Sequence, residues 1–152
     1  MTGRRLAPSL ALLAGCGASV LWLVGCAGSP AAAASPTFAK AIAACSTSDA
    51  QRHVMVDATG SYRFVPAVVC LQVGGSVTWK NTTGDLDHTS TDEPSLAASA
   101  DDATIPRGGH GWDLKLPSGR SGTLTFRTVG VYHYFCIPHE TLGMVGVVDV
   151  VR

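Results

Sequence analysis

The chain of 152 residues lacks an excess of either charge, with 11 Lys plus Arg against 11 Asp plus Glu. Without a basic surplus it has none of the electrostatic footprint of a nucleic-acid binder. Charge is also sparse, 14% of residues against 46% hydrophobic, which excludes disorder along the whole length. Five cysteines are too few for a disulfide-dense miniprotein. The three methionines, one of them the initiator, are too few for a Met-rich, exchangeable metal carrier. No Ser/His/Asp hydrolase context and no phosphate-binding glycine loop occurs. Seventeen Gly and eight Pro are abundant, alongside Val and Thr, a composition of short strands and turns.

The N-terminus reads as an address. Met1 to Arg5 carries two positive charges, and Leu6 to Val24 then runs for 19 residues without any. A basic start followed by an apolar run is the pattern of an export signal. Two cysteines stand in lipobox-like contexts, Leu13-Ala14-Gly15-Cys16 and Leu23-Val24-Gly25-Cys26. Cys26 is the preferred lipidation site, because a soluble Ala-Gly-Ser-Pro spacer follows it. Cys16 would leave Val20 to Val24 dangling at the mature end. An uncleaved anchor is the alternative, since 19 residues just span a bilayer core of about 30 Å. Arg4-Arg5 also touches the twin-arginine pattern. Each reading places the protein outside the cytoplasm and tethered to a membrane. Residues 1–25 are thus expected to be a signal peptide, 26–50 an Ala/Ser/Pro-rich linker and 51–152 the folded domain. Loss of residues 1–25 removes Arg4 and Arg5, leaving 9 basic against 11 acidic residues.

The domain reads as a string of strands without a helical period. His53 to Ala58 is the first. Val69, Leu71 and Val73 share one face of the next, with Cys70 and Gln72 on the other. Gly74-Gly75 is expected to turn the chain, and Val77 and Trp79 return on the inner face. Leu124 and Phe126 alternate inwards, as do Tyr132, Tyr134 and Cys136. Val148 and Val150 close the chain, with Asp149 expected to face out. Ser95 to Ile105 is where a short helix could sit. The expected architecture is an all-β, antiparallel Greek-key sandwich or barrel.

The chemistry lies after the penultimate strand, in Cys136-Ile137-Pro138-His139 followed by Met144. Thiolate, imidazole and thioether are soft to borderline donors that select copper over magnesium, calcium or manganese. Two His, one Cys and a weak axial Met are the ligands of blue-copper electron transfer. The loop supplies three, so a second His must come from elsewhere. His133 is out of phase with Tyr132 and Tyr134, His110 sits in a glycine-rich loop, and His53 opens the domain. His88, after the loop that follows Trp79, is the preferred fourth ligand.

Tyr132 to His139 running into Gly143-Met144-Val145-Gly146 resembles the copper loop of the cupredoxins. Its length is that of plastocyanin and its bacterial relatives. Phe64, Pro66, Gly74, Val77, Trp79, Asn81 and His88-Thr89 resemble the family's upstream half. The resemblance spans about Tyr62 to Val151. It implies an eight-stranded Greek-key sandwich and one type 1 copper ion bound by His88, Cys136, His139 and Met144. It also implies that His139 carries the electron out to a redox protein such as a cytochrome, oxidase or reductase. Phe135 and Thr89 depart from many relatives, where Tyr and Asn stand. Copper storage or delivery is the alternative function. A copper oxidase or nitrite reductase ranks third, because Phe135 and Ile137, not histidines, flank Cys136.

Cys45 and Cys70 are left over. Outside the cytoplasm they are expected to pair and pin the linker to the sheet, the alternative being two free thiols. Asp85, Asp87, Asp92, Glu93, Asp101 and Asp102 form an acidic stretch without Lys or Arg. It either docks a basic partner or is a solvated loop. Leu142, Ile137 and Pro138 either pack around the Cys136 sulfur or simply fill the core.

Overall fold

The computed structural model describes residues 45–152. The leader, Cys16, Cys26 and most of the linker lie outside the described residues. Eight strands run in order: β1 (Gln51–Thr59), β2 (Arg63–Val65), β3 (Val68–Asn81), β4 (His88–Asp92), β5 (Trp112–Leu116), β6 (Ser121–Thr125), β7 (Gly130–Phe135) and β8 (Val145–Val151). Two short 3₁₀ turns, Pro94–Leu96 and Ile137–Leu142, are the only helical elements among the described residues. No described helix is long and apolar enough to cross a membrane.

The all-β expectation holds, but the sheet is mixed. The strand order is β2-β1-β3-β8-β7-β4-β5, with β6 on β3. β1 and β8 both pair with β3 in parallel, while the remaining ladders are antiparallel. Periodicity alone cannot distinguish the two, since both alternate sides at period two.

Gly74-Gly75 does not turn the chain back. β3 continues through it, its first half paired with β8 and its second with β6, while β1 pairs with both, Gln51 opposite Leu71 and His53 opposite Ser76. Gly74 adopts φ +84, a Cβ on Gly75 would lie 2.7 Å from the Arg52 carbonyl, and the register against β1 shifts between Gln51 and His53, so this is an irregularity within one continuous strand. Val73 sits at that irregularity and is 40% exposed, although its parity matches Leu71.

The core gathers the alternating set: Val56, Phe64, Leu71, Val77, Trp79, Leu116, Tyr134, Met144 and Val148 are buried. Trp79 stands edge-on to Tyr134 at 5.4 Å and 5.8 Å from Trp112. Such pairs add about 0.5–1.5 kcal/mol beyond area burial. Asp149 is 8% exposed, although Val148 and Val150 take the core face on either side of it; the face of β8 opposite the core is covered as well. Cys45 and Cys70 are disulfide-bonded, their Cα atoms 5.6 Å apart.

Two strands, β4 and β5, were not among those expected, although β5 alternates apolar and polar residues. β4 is buried at every position, so its Thr, Ser and Asp residues read as loop. β5 carries the sequence Trp-Asp-Leu-Lys-Leu and pairs with β4 along its length, His88 opposite Leu116 and Asp92 opposite Trp112.

Candidate metal centre

Four local devices bring distant residues together. Asn81, buried at the end of β3, donates its amide to the carbonyls of Leu86 (2.6 Å) and Leu116 (2.8 Å). Its Oδ1 accepts from Thr83 N–H (2.9 Å) and the Thr83 hydroxyl (2.7 Å). The loop between β3 and β4 is thereby folded so that β4 begins on a buried His88. The polar core residue is fully satisfied, as burial requires.

Cys136 ends β7. Its N–H donates to the Met144 carbonyl (3.0 Å), and Met144 N–H donates to the His139 carbonyl (3.2 Å). Between them the 3₁₀ turn Ile137–Leu142 is stopped by Gly143 in the left-handed region, φ +82, where a Cβ is costly. His139 N–H donates to the Cys136 carbonyl (3.0 Å), which fixes the imidazole over the sulfur. Met144 is fully buried as β8 starts.

The three donor atoms converge. Cys136 Sγ lies 3.6 Å from His88 Nδ1 and 3.4 Å from His139 Nδ1, and the two nitrogens are 3.1 Å apart. A point equidistant from such a triangle is roughly 2 Å from each corner, the length of a metal–imidazole bond. Among the described residues this is the one cluster of three His, Cys, Asp or Glu ligand atoms. The donor set and spacing fit a copper ion.

The electrostatics suit a set of metal-binding donors. Burial lowers the pKa of His88, helped by the charge of His139 and opposed by Asp87. Burial likewise lowers that of His139, so both rings are kept neutral with lone pairs free. Burial raises the Cys136 thiol, partly offset by hydrogen bonds from Thr89 and His139. Thr89 N–H donates to Cys136 Sγ at 3.3 Å, and Thr89 Oγ1 accepts from Ile137 N–H at 2.9 Å. The Thr91 hydroxyl lies 2.9 Å from Thr89 Oγ1 and 3.0 Å from Asp113 Oδ1. One strand residue therefore ties both ligand segments together.

His53 is exposed on β1 with Nδ1 on the Ser76 hydroxyl (2.8 Å), and His133 Nδ1 faces the Asp101 carbonyl (2.8 Å). His110 is exposed in its loop. None of the three joins the cluster. Ile137 and Leu142 are 37% and 52% exposed, and Pro138 is exposed too, so the 3₁₀ turn presents them to solvent and they do not fill the core. The acidic stretch is also divided. Asp85, Asp87 and Asp101 are exposed, but Asp92 is fully buried opposite Trp112.

Two contacts had no sequence signal. Glu140, beside His139, buries its carboxylate to accept from Ala98 N–H and Ser99 N–H at 2.9 Å, docking the segment after Pro94–Leu96. Tyr62 stacks on His139, ring centroids 4.6 Å apart. Both depend on loops that meet only in three dimensions.

A family model described as copper binding proteins, plastocyanin/azurin family, matches residues 50–151. The chain is 39% identical over 92 residues to the chloroplastic plastocyanin of Tetradesmus obliquus, a match covering 60% of this chain and 61% of that protein. It is 32% identical over 91 residues to the plastocyanin of Solanum tuberosum, covering 60% of this chain and 90% of that one. Reduced auracyanin from Roseiflexus castenholzii shares the fold, with a TM-score of 0.51 at 21% identity over 68% of this chain and 99% of that chain.

Proposed function

This chain belongs to the plastocyanin/azurin family of copper-binding proteins, and on that premise we propose that its domain is a one-electron carrier working outside the cytoplasm. The carrying observation is the convergence of His88 Nδ1, His139 Nδ1 and Cys136 Sγ within a triangle of 3.1–3.6 Å. Copper, when bound, supplies a one-electron couple. His88, Cys136 and His139 would hold it, with the buried Met144 sulfur as a further soft donor. The ladders of β4, β7 and β8 limit ligand movement. Little rearrangement then accompanies a change of charge, which favours fast transfer.

His139 is the exit. It is half-buried, whereas His88 and Cys136 are buried, and exposed Ile137, Pro138 and Leu142 form an apolar collar beside it. A redox protein would dock there, steered by Asp85, Asp87 and Asp101. The flanks of Cys136, Phe135 and Ile137, offer no ligand atom for a relay to a second metal, which favours a carrier over an oxidase. The Cys45–Cys70 disulfide suits an oxidising compartment, and lipidated Cys26 would tether the domain to the membrane.

The test is the visible spectrum of the full chain loaded with copper(II). One tightly held ion per chain and an intense blue colour, both lost in Cys136→Ala, support the proposal. A colourless protein that yields its copper at once to a chelator favours delivery instead and overturns it.

A further inference from the structure

Tyr62 combines three features that the fold alone does not require. β1 and β2 end on the pair Thr59–Arg63, leaving Gly60, Ser61 and Tyr62 as a three-residue hairpin loop. Tyr62 N–H donates to the Thr59 carbonyl (3.0 Å), the turn that ordinarily precedes a left-handed residue. Glycine fills that position at no steric cost, yet Tyr62 occupies it at φ +59, alone among the described non-glycine residues. Its ring lies against the His139 imidazole, centroids 4.6 Å apart and planes inclined by 38°. Arg63 then fastens the two loops: its Nη1 donates to the Tyr62 carbonyl (2.7 Å) and to the Leu142 carbonyl (2.8 Å) at the end of the turn that carries His139.

Backbone strain of this kind persists where the surroundings over-determine it, and it collects at functional sites. A glycine would take the same backbone more cheaply, and only the ring would be lost. The ring covers a face of the one ligand imidazole that the core leaves half open.

We propose that Tyr62 is a positioning residue for the copper site: strained in place by its hairpin and by Arg63, its ring packs on His139 and keeps the imidazole aimed at Cys136. The inference rests on His139 as a copper ligand, and adds what holds that ligand before and after the metal is bound. Preorganisation of this kind slows metal loss, because the imidazole cannot swing outwards to start dissociation.

The test compares the full-length protein with Tyr62→Phe, Tyr62→Ala and Tyr62→Gly. In metal-free protein, the ring protons of His139 should resonate upfield in the native chain and in Tyr62→Phe, and return towards free-histidine positions in the other two. Copper(I) transfer to an excess of chelator should quicken at least fivefold in Tyr62→Ala and Tyr62→Gly alike, and stay within twofold in Tyr62→Phe. Equal effects from Ala and Gly, whose backbone preferences differ, assign the role to the ring. Unshifted His139 protons in the native metal-free chain, or unchanged release in Tyr62→Ala and Tyr62→Gly, overturn the clamp while leaving a blue native protein as proposed. A native protein that takes up no copper overturns the ligand assignment and the clamp with it, whatever the proton shifts.

Discussion

Thr89 grips both sides of Cys136: its N–H reaches the sulfur at 3.3 Å, and its hydroxyl oxygen receives the N–H of Ile137 at 2.9 Å. The first bond stabilises a thiolate, and the second locks the peptide that follows it. Because Thr89 also follows His88 in β4, it couples the two ligand segments directly.

Thr89→Val keeps the shape and the backbone bond to the sulfur but leaves Ile137 N–H without its partner. The expected loss is about 1–3 kcal/mol. Urea denaturation of the copper-loaded protein should show it as a lower midpoint at unchanged slope, with the blue colour retained.

Copper affinity should rise with pH. The two imidazoles are lowered by burial and are already neutral near pH 7, whereas burial holds the thiol protonated. Binding therefore displaces one proton, from Cys136. Below the thiol pKa the apparent copper(I) dissociation constant should fall about tenfold per pH unit, measured by chelator competition. A flat profile contradicts the protonated thiol.

Asp92 makes stability fall as pH rises. Its carboxyl is buried, neither oxygen has a hydrogen-bond partner among the described residues, and burial with the nearby Glu93 pushes its pKa up to about 7. Unfolded, it ionises near 3.8, so between those values the folded state holds a proton that the unfolded state has released. The whole stabilising contribution is present below about pH 4 and is lost as pH climbs through 7. The difference is at most about 4 kcal/mol. Thermal midpoints of Asp92→Asn should lack the decline that the native chain shows between pH 5 and 8.

Removing the disulfide in the double variant Cys45→Ala, Cys70→Ala should cost about 3 kcal/mol, from a closed loop with a sequence separation of 25. The denaturation midpoint should drop, and the copper spectrum should not change, since Cys70 pairs with Asp149 on a different part of the sheet from the ligand loop.

Glu140→Gln should loosen the segment around Ala98 and Ser99. It replaces carboxylate acceptors of two backbone N–H groups by a neutral amide, a loss of about 1–2 kcal/mol locally. Limited proteolysis should cut faster within residues 94–102 than in the native chain.

Much of the site was legible because its donors are close in sequence and chemically unlike anything else in the chain. Cys136, His139 and Met144 share one loop, and the period-two apolar pattern around Tyr132, Tyr134 and Val148 shows which faces turn inwards. His88 followed by exclusion, since strand phase and loop composition set the other histidines aside. β4 and β5 were less legible. β4 is buried throughout and polar, so neither hydrophobicity nor alternation marks it; its hydroxyls find partners only once β5 packs beside it, Trp112 donating to Ser90 and Thr91 donating to Asp113, while the Asp92 carboxyl stays without one.

By itself, then, the sequence determined the residue types that can hold copper, their order, and an all-β frame, because ligand chemistry and strand periodicity are local properties. Only the tertiary structure decided that β3 runs on through Gly74 and changes partners there, that Asp92 and Asp149 are buried, and that Tyr62 and Arg63 close over His139. Those outcomes depend on which surfaces meet once the sheets pack, and residues 63 and 142 carry no mark in the chain of the hydrogen bond they share.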